Sequence, residues 1–460
     1  MEHSFVDLDA EDGAPPAAAR IIGPDRHPIV PEMLDRDALF ILKKLASAGF
    51  SGYLVGGGVR DLYLGKTPKD FDISTDARPG QLRKLFPNSN TIGRRFRLVQ
   101  VFFKGGKTIE VSTLRSLCEH DLDGPEEVLP PNNTFGTVSE DARRRDLTIN
   151  SLFYEIETGT IIDYVGGVED LDRGIVRIAG DPARRVNRDP VRMMRAIRHA
   201  ARNGFTIEEE TWKAICANSD KLALCPPSRL RDEFLKDLYC GHALPWFRLA
   251  ERSGLFPVLF PIYRKAFANE GERPAIVQQL ASLFSVIDEA NRLATIGQGH
   301  RQPDYFFFAL LFIPWVDRRW QLYSQFRKGA ALYQLARQIR DELDGGIGVD
   351  LNLRRSLRQE TVTLLVNLAL FIHSKNQGSW PKWLKRKSYF KKSKLFYDVY
   401  LAATEGTPLG DELVQADLFP IADMVPVVPV PATTTTPAHP PPPAKPAFSS
   451  RRGGVFGFKK

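Results

Sequence analysis

Leu54-Val55-Gly56-Gly57-Gly58-Val59-Arg60-Asp61, followed by Pro68-Lys69-Asp70-Phe71-Asp72-Ile73, is the stretch that decides the fold. An apolar run enters a glycine triplet that lies 12 to 14 residues before Asp70. Glycine lets backbone N–H groups approach an anion closely, and the helix predicted over 59–64 adds a favourable dipole there. Phe71 and Ile73 alternate with Asp70 and Asp72, which is strand periodicity with both acids on one face. Same-face neighbours on a strand stand roughly 6–7 Å apart, a spacing from which two carboxylates converge on divalent metal ions. Mg²⁺ takes one or two carboxylates and completes its octahedron with water and phosphate oxygens. A bare Asp-x-Asp is more often a solvated strand edge. The glycine turn and the Arg60-Asp61 pair ahead of it favour the chemical reading.

Outward from this stretch the pattern is that of a small mixed α/β unit. Leu34, Leu39, Leu42, Leu45 and Ala46 predict a helix ended at Gly49, and Pro79 opens another through Phe86. Strands are predicted over 98–103 and 107–114, joined by a tight turn at Gly105-Gly106, and a further one over 161–164. Glu110 faces opposite Ile109 and Val111, so it is the candidate third carboxylate. This head is expected to span 31–170, with 1–30 a flexible segment. From Asp189 onward the periodicity is helical, with helices predicted near 189–203, 208–217, 228–239 and 243–252. More are predicted near 274–290, 305–313, 322–343 and 353–373. The fold class is therefore an α/β head followed by an all-α region, divided into a neck at 171–260 and a body and tail at 261–421. Residues 421–450 hold nine prolines, so 422–460 reads as a disordered Pro-rich and basic tail, a candidate docking segment for RNA-processing proteins.

Composition narrows the function classes. The chain has 460 residues, 43% hydrophobic and 26% charged, enough for two or three compact units of an ordinary soluble protein. The longest apolar runs, 305–315 and 361–372, are 11 and 12 residues and read as buried helices rather than membrane spans. The first 30 residues show no basic start before an apolar core, and Cys118, Cys216, Cys225 and Cys240 form no CxxC pair. Both features predict a cytoplasmic protein in a reducing compartment, without a structural zinc site. The formal charge of +8 raises the odds of a nucleic-acid partner only modestly. Lys382, Lys385, Arg386, Lys387, Lys391 and Lys392, clustered beside Trp380 and Trp383, are the candidate RNA-backbone contacts.

The quoted head stretch resembles the signature of the class II CCA-adding enzymes and bacterial poly(A) polymerases. Arg144-Arg145-Asp146-Leu147-Thr148-Ile149-Asn150 is similar to their second signature, and Asp189-Pro190-Val191-Arg192-Met193-Met194-Arg195-Ala196-Ile197-Arg198 to their third. The resemblance covers roughly 35–260 and departs from the family pattern at Arg188, where an acid is usual. It implies a palm-like nucleotidyltransferase head with helical neck, body and tail. Asp70 and Asp72 would bind two Mg²⁺ ions, with Mn²⁺ as the expected substitute; Glu110 is added to them as a candidate catalytic residue on its strand face alone. Gly56, Gly57, Arg60 and Asp61 would bear on the triphosphate, with Arg94 and Arg95 near the nucleotide. Arg144, Arg145, Asp146 and Asn150 would hold sugar and phosphates. Asp189 and Arg192 would face the base edge, and Arg195 and Arg198 the phosphates. The residues alone agree in part, because Asp189, Arg192 and Arg195 at i, i+3 and i+6 share one helix side. That spacing also suits a solvated face of ion pairs.

Members of this family divide by product. Residues 92–101, Ile-Gly-Arg-Arg-Phe-Arg-Leu-Val-Gln-Val, resemble a segment of the bacterial poly(A) polymerases. The expected activity is template-independent addition of AMP from ATP to RNA 3′ ends with release of pyrophosphate. The alternatives are a CCA-adding or A-adding tRNA nucleotidyltransferase and a catalytically inactive RNA-binding protein on the same scaffold.

Overall fold

The computed structural model describes residues 19–93, 98–116, 135–375 and 380–409. Eight strands form one sheet: β1 (Arg20–Ile22), β2 (Gly52–Val55), β3 (Asp72–Thr75), β4 (Ser89–Ile92), β5 (Leu98–Phe102), β6 (Thr108–Thr113), β7 (Phe153–Glu155) and β8 (Thr160–Asp163). Their order is β1-β8-β7-β2-β3-β6-β5-β4. β3 and β6 are parallel, and the other neighbours run antiparallel.

Local chemistry explains the main elements. Helix α1 (Arg36–Ser47) starts where the Asp35 carboxylate accepts the N–H groups of Asp37 and Ala38 at 3.0 and 3.1 Å. Ala38, Ile41, Leu42 and Leu45, at the 3.6-residue period, are buried against β2 and β3. Leu54, Ile73 and Val111 point into that same core. The β5–β6 turn holds Gly105 and Gly106, both at φ +79°, a conformation that costs a side-chain-bearing residue energy. Helix α2 (Gly57–Tyr63) leaves the glycine triplet directly, and α3 (Pro79–Leu85) begins on its proline. A fourth, α4 (Val138–Arg143), crosses the other face of the sheet, where Ala142 packs with Val55, Leu114 and Phe153.

Beyond the sheet come α5 (Gly167–Arg173), the short parallel pair β9 (Ile175–Val176) and β10 (Thr206–Ile207), α6 (Pro182–Arg188), α7 (Val191–Asn203), α8 (Glu209–Ala217) and α9 (Pro227–Leu238). Helices Ala243–Arg252, Arg273–Thr295, Asp304–Trp320, Gly329–Gly345, Arg355–Lys375 and Phe390–Glu405 follow. Helix Asp304–Trp320 is buried over most of its length, and the described residues contain no helix long and apolar enough to cross a membrane.

Four expectations change. Residues 20–22 are not part of a flexible segment, because β1 closes the sheet edge against β8. β4 was absent from the predicted strands; its Asn90, Thr91 and Ile92 are exposed, so no apolar alternation marks it. The helix expected over 189–203 begins only at Val191, after Pro190 separates it from α6. The helix expected to end at 313 runs through Pro314 to Trp320, since a proline removes one hydrogen bond without ending a well-packed helix. The tail at 422–460 lies outside the described residues.

Candidate active site

β3 and β6 run side by side with Ile73 level with Val111 and Ser74 with Ser112. One residue earlier on each strand, Asp72 and Glu110 therefore emerge together on one face. Ser74 and Ser112 continue that face, with their Oγ atoms 3.0 Å apart. Across β2, Asp72 lies opposite Val55, the last residue before the glycine turn. Gly56 holds φ +69°, and a side chain there would meet Arg145 Nη1 at 3.3 Å. These pieces enclose a cavity of about 390 Å³. Gly56 and Gly57 form one rim, Asp72, Glu110 and Ser112 line the sheet side, and Arg144, Arg145, Asp146 and Asn150 lie across from them. Arg192 and Arg195 reach the cavity from α7.

Asp72 is reached by solvent at the mouth, yet the surrounding walls hydrate it poorly. Burial first, then the neighbouring Glu110 charge, pushes its pKa up to about 6 against the pull of Arg145. Glu110 accepts a hydrogen bond from Gln100 Nε2 at 3.0 Å. Asp70 does not share this face by strand alternation. β3 begins at Asp72, because β2 turns away into the glycine loop and leaves Asp70 without a strand partner there. Asp70 is exposed and outside the cavity lining, though its charge also raises the Asp72 pKa. Among the described residues no group of three or more His, Cys, Asp and Glu donors is gathered for a metal ion.

The arginines fall into two classes. Arg144, Arg145, Arg192 and Arg195 line the cavity, with Arg192 Nη1 donating to the Arg145 carbonyl at 3.1 Å. Arg195 bridges Asp146 at 3.4 Å and Glu233 at 3.1 Å. Arg60 and Arg198 are turned elsewhere. Arg60 is 2% exposed; its Nε and Nη2 donate to Asp61 Oδ1 and its Nη1 to Asn150 Oδ1 at 2.6 Å. It lies beneath the turn, its Nη2 3.4 Å from a Cβ placed on Gly57, rather than in the cavity. Asp61 is spent on Arg60 and on Arg202 at 3.1 Å. Arg198 is held by Glu233 and Asp237 on α9. The structure thus brings together most of the predicted nucleotide-binding residues and sets Arg60, Asp61 and Arg198 behind them as a frame. Arg94 and Arg95 lie outside the described residues.

Asp189 Oδ2 accepts from Arg229 at 2.8 Å and stands 3.8 Å from Arg192 Nε, while its buried Oδ1 has no hydrogen-bond partner among the described residues. Asp146 is held below the ordinary carboxylate range, because Arg195, Arg192 and the hydrogen bond from Asn150 Nδ2 outweigh its burial. His199, on α7, is kept neutral by burial and by Arg60, whose Nη1 lies 3.2 Å from its Nδ1.

Several of these residues escaped the sequence reading. Asp141 gathers both Arg144 and Arg145, Glu233 and Asp237 fix the α7 arginines Arg195 and Arg198, and Arg229 holds Asp189. The Thr137-Val138-Ser139-Glu140 capping box was the available signal for α4 and hence for Asp141. In the basic segment, Lys382, Lys385, Arg386, Lys387 and Lys391 are exposed together with Trp383. Lys392 differs: it pairs with Glu360 and sits 4.6 Å over the Tyr305 ring.

Residues 52–177 match the family model described as the poly A polymerase head domain, and residues 204–267 match the probable RNA and SrmB-binding site of polymerase A. Poly(A) polymerase I of Escherichia coli O6:H1 is 42% identical over 286 residues, 60% of this chain and 61% of that protein. Poly(A) polymerase I of Salmonella typhi is 39% identical over 349 residues, 74% of this chain and 73% of that protein. The chain therefore spans a little under two thirds of the first relative and somewhat more of the second. Among solved structures, the Bacillus stearothermophilus CCA-adding enzyme in complex with CTP superimposes with a TM-score of 0.59 at 26% identity, covering 83% of this chain and 80% of that one.

Proposed function

The chain belongs to the poly(A) polymerase and CCA-adding family of nucleotidyltransferases, and on that premise we propose that it adds ribonucleotides to RNA 3′ ends without a template. The observation that carries this reading is a cavity lined by two strand carboxylates, Asp72 and Glu110, together with Arg144, Arg145, Arg192 and Arg195. Such a cavity suits a substrate whose polyphosphate meets the arginines and whose reacting phosphorus sits near the acids.

The donor chemistry fits Mg²⁺. The acids are oxygen donors on adjacent strands, and Asp72, raised by burial and by the Glu110 charge, is a carboxylate whose ionised form a cation would stabilise. A pair, rather than a cage of donors, is what Mg²⁺ uses when water and substrate phosphates complete its shell. Asp72 and Glu110 would hold it, with Asp70 beside them. When bound, such an ion supplies Lewis acidity that makes an attacking hydroxyl more acidic and stabilises departing pyrophosphate.

The remaining roles belong to this chain's side chains. Arg144 and Arg145 bind the triphosphate and offset charge that develops on the leaving group. The Gly56–Gly57 backbone lines the same rim, where the absence of side chains lets a phosphate approach closely. Asn150 and Asp146 face the sugar. Arg192 offers donors to a base edge from the cavity wall, with Asp189 packed behind it 3.8 Å from its Nε. The RNA 3′-hydroxyl attacks the α-phosphorus of the incoming nucleotide, a new phosphodiester forms, and pyrophosphate leaves. Lys382, Lys385, Arg386, Lys387 and Lys391 hold the RNA backbone without reading sequence.

Two products fit this chemistry. Addition of CCA or A to tRNA is supported by the likeness to the CTP-bound CCA-adding enzyme. Polyadenylation with ATP is supported by the names of the curated relatives at 42% and 39% identity. The segment 92–101 includes 94–97, which are outside the described residues. Purified protein with Mg²⁺ and radiolabelled ATP or CTP, offered unstructured RNA or tRNA lacking its end, separates them. Long A tracts on unstructured RNA identify polyadenylation. CTP incorporation, or single A addition, confined to tRNA identifies the other product. Absence of incorporation from either nucleotide on either RNA overturns the reading and leaves an inactive RNA-binding scaffold.

A further inference from the structure

Asp141 is fully buried in the arginine wall, on a helix fixed at its start. Thr137 Oγ1 accepts the Glu140 N–H at 3.3 Å, and Glu140 Oε2 accepts the Thr137 N–H at 2.6 Å. The two carboxylate oxygens are divided between two arginines. Oδ1 accepts from Nε of Arg144 at 2.8 Å and from its Nη2, and from the backbone N–H of Arg115 at 3.2 Å. Oδ2 accepts from Nε of Arg145 at 3.2 Å and from its Nη2 at 2.9 Å. Both arginines thus give the same edge of the guanidinium to Asp141 and keep the Nη1 end for something else. Arg145 is fixed further by Ser74 Oγ, 3.2 Å from Nη2, and by the Phe153 ring, 5.1 Å beneath it. Its Nη1 faces the Gly56 turn.

We propose that Asp141 is a positioning residue for the incoming triphosphate: one buried carboxylate aims Arg144 and Arg145 into the cavity. The inference rests on the nucleotidyl-transfer reading of that cavity. Two adjacent guanidiniums repel one another, and each would otherwise sample several rotamers. A shared buried acid removes both problems before the substrate arrives, which is the advantage of a preorganised site. Burial alone would raise the Asp141 pKa; Arg145 and Arg144 outweigh it and hold the group charged. A helix anchor with no further role would need neither two forks nor partners that both line the cavity.

The test uses the full chain and equilibrium binding of ATP, read beside KM and kcat for incorporation into RNA. Asp141→Asn keeps the shape and removes the charge that grips both forks. Its Kd and KM for ATP should rise about tenfold or more, with kcat falling less. Arg144→Lys is the second variant, suited to a side chain that is 26% exposed and so tolerant of change. It keeps the charge but cannot fork Oδ1, and its KM should rise about three- to tenfold at unchanged melting temperature. A purely structural role would lower Tm and the active fraction, and so kcat, while leaving ATP affinity at the wild-type value. Wild-type affinity in folded Asp141→Asn, or in Arg144→Lys where Asp141→Asn does not fold, overturns the proposal. A wild-type protein that binds no ATP at all overturns the functional reading instead.

Discussion

The two faces of the head sheet differ by a single residue step. Ile73 and Val111 are wholly buried against α1, while Asp72 and Glu110, their neighbours in the chain, stand over the cavity. On one face the side chains are mainly apolar and their value is packing, with Thr75 and Thr113 buried there through hydroxyl bonds to the Ser51 and Ala77 carbonyls. On the other, charged groups are held at a surface of serines and arginines, where they are costly to the fold and useful to the chemistry. The pleat separates the two tasks, so damage to either face should be readable separately.

Asp72→Ala should give the largest functional loss. On the proposed role of Asp72 as a cation ligand, the loss is several kcal/mol of transition-state stabilisation, on the order of a thousand-fold in kcat/KM, with circular dichroism and Tm unchanged or improved. Loss of fold in this variant would break the comparison. Ile73→Ala should do the reverse and cost about 2–5 kcal/mol in denaturant unfolding, since it opens a cavity in a fully buried site. Its kcat, corrected for the folded fraction, should stay near the wild-type value.

A finer test uses pH. The folded-state pKa of Asp72, about 6, lies above the ordinary carboxylate value of 3.8. The native state therefore holds this proton more tightly than the unfolded chain does. Its contribution to stability is complete below pH 3.8 and is lost as pH rises through about 6. In chelator, Asp72→Asn should raise Tm relative to wild type at pH 8, and the gain should shrink toward pH 4. An equal gain at both values would place the strain elsewhere. On the proposed reading, proton and cation compete for Asp72, so at limiting Mg²⁺ wild-type activity should decline as pH falls toward 6, and excess Mg²⁺ should move that decline to lower pH. The smallest effect belongs to Ser112→Ala, which removes a hydroxyl that meets Ser74 Oγ and the Ile73 carbonyl. A loss of about 1 kcal/mol or less in stability, with kcat/KM within a few-fold of wild type, is expected.

Much of this division was legible in the sequence. Leu54–Asp61 and Pro68–Ile73 contain the apolar strand, the glycine turn and the acid with its apolar neighbours, all set by local rules. Glu110 was legible by alternation with Ile109 and Val111, and its nearness to Asp72 followed once β3 and β6 paired. What failed to show depends on distant partners. Arg60 looked like a phosphate ligand until Asn150, 90 residues away, took its Nη1. Arg198 shares a helix with Arg195 and also meets Glu233, yet Asp237, 39 residues on, holds it away from the site. Strand alternation placed Asp70 with Asp72, whereas the glycine turn in β2 ends the pairing one residue short of Phe71. Arg20–Ile22 is too short to announce a strand and becomes one only beside β8.

The central claim is that the face carrying Asp72 and Glu110 performs nucleotidyl transfer. The most direct measurement follows RNA incubated with Mg²⁺ and α-labelled ATP or CTP, counting label joined to the 3′ end against pyrophosphate released. The account predicts one pyrophosphate per nucleotide added by the wild-type chain, and on the order of a thousand-fold less of both products from folded Asp72→Ala. Incorporation by that variant at the wild-type rate, or none by the wild type with any of the offered nucleotides and RNAs, would contradict it.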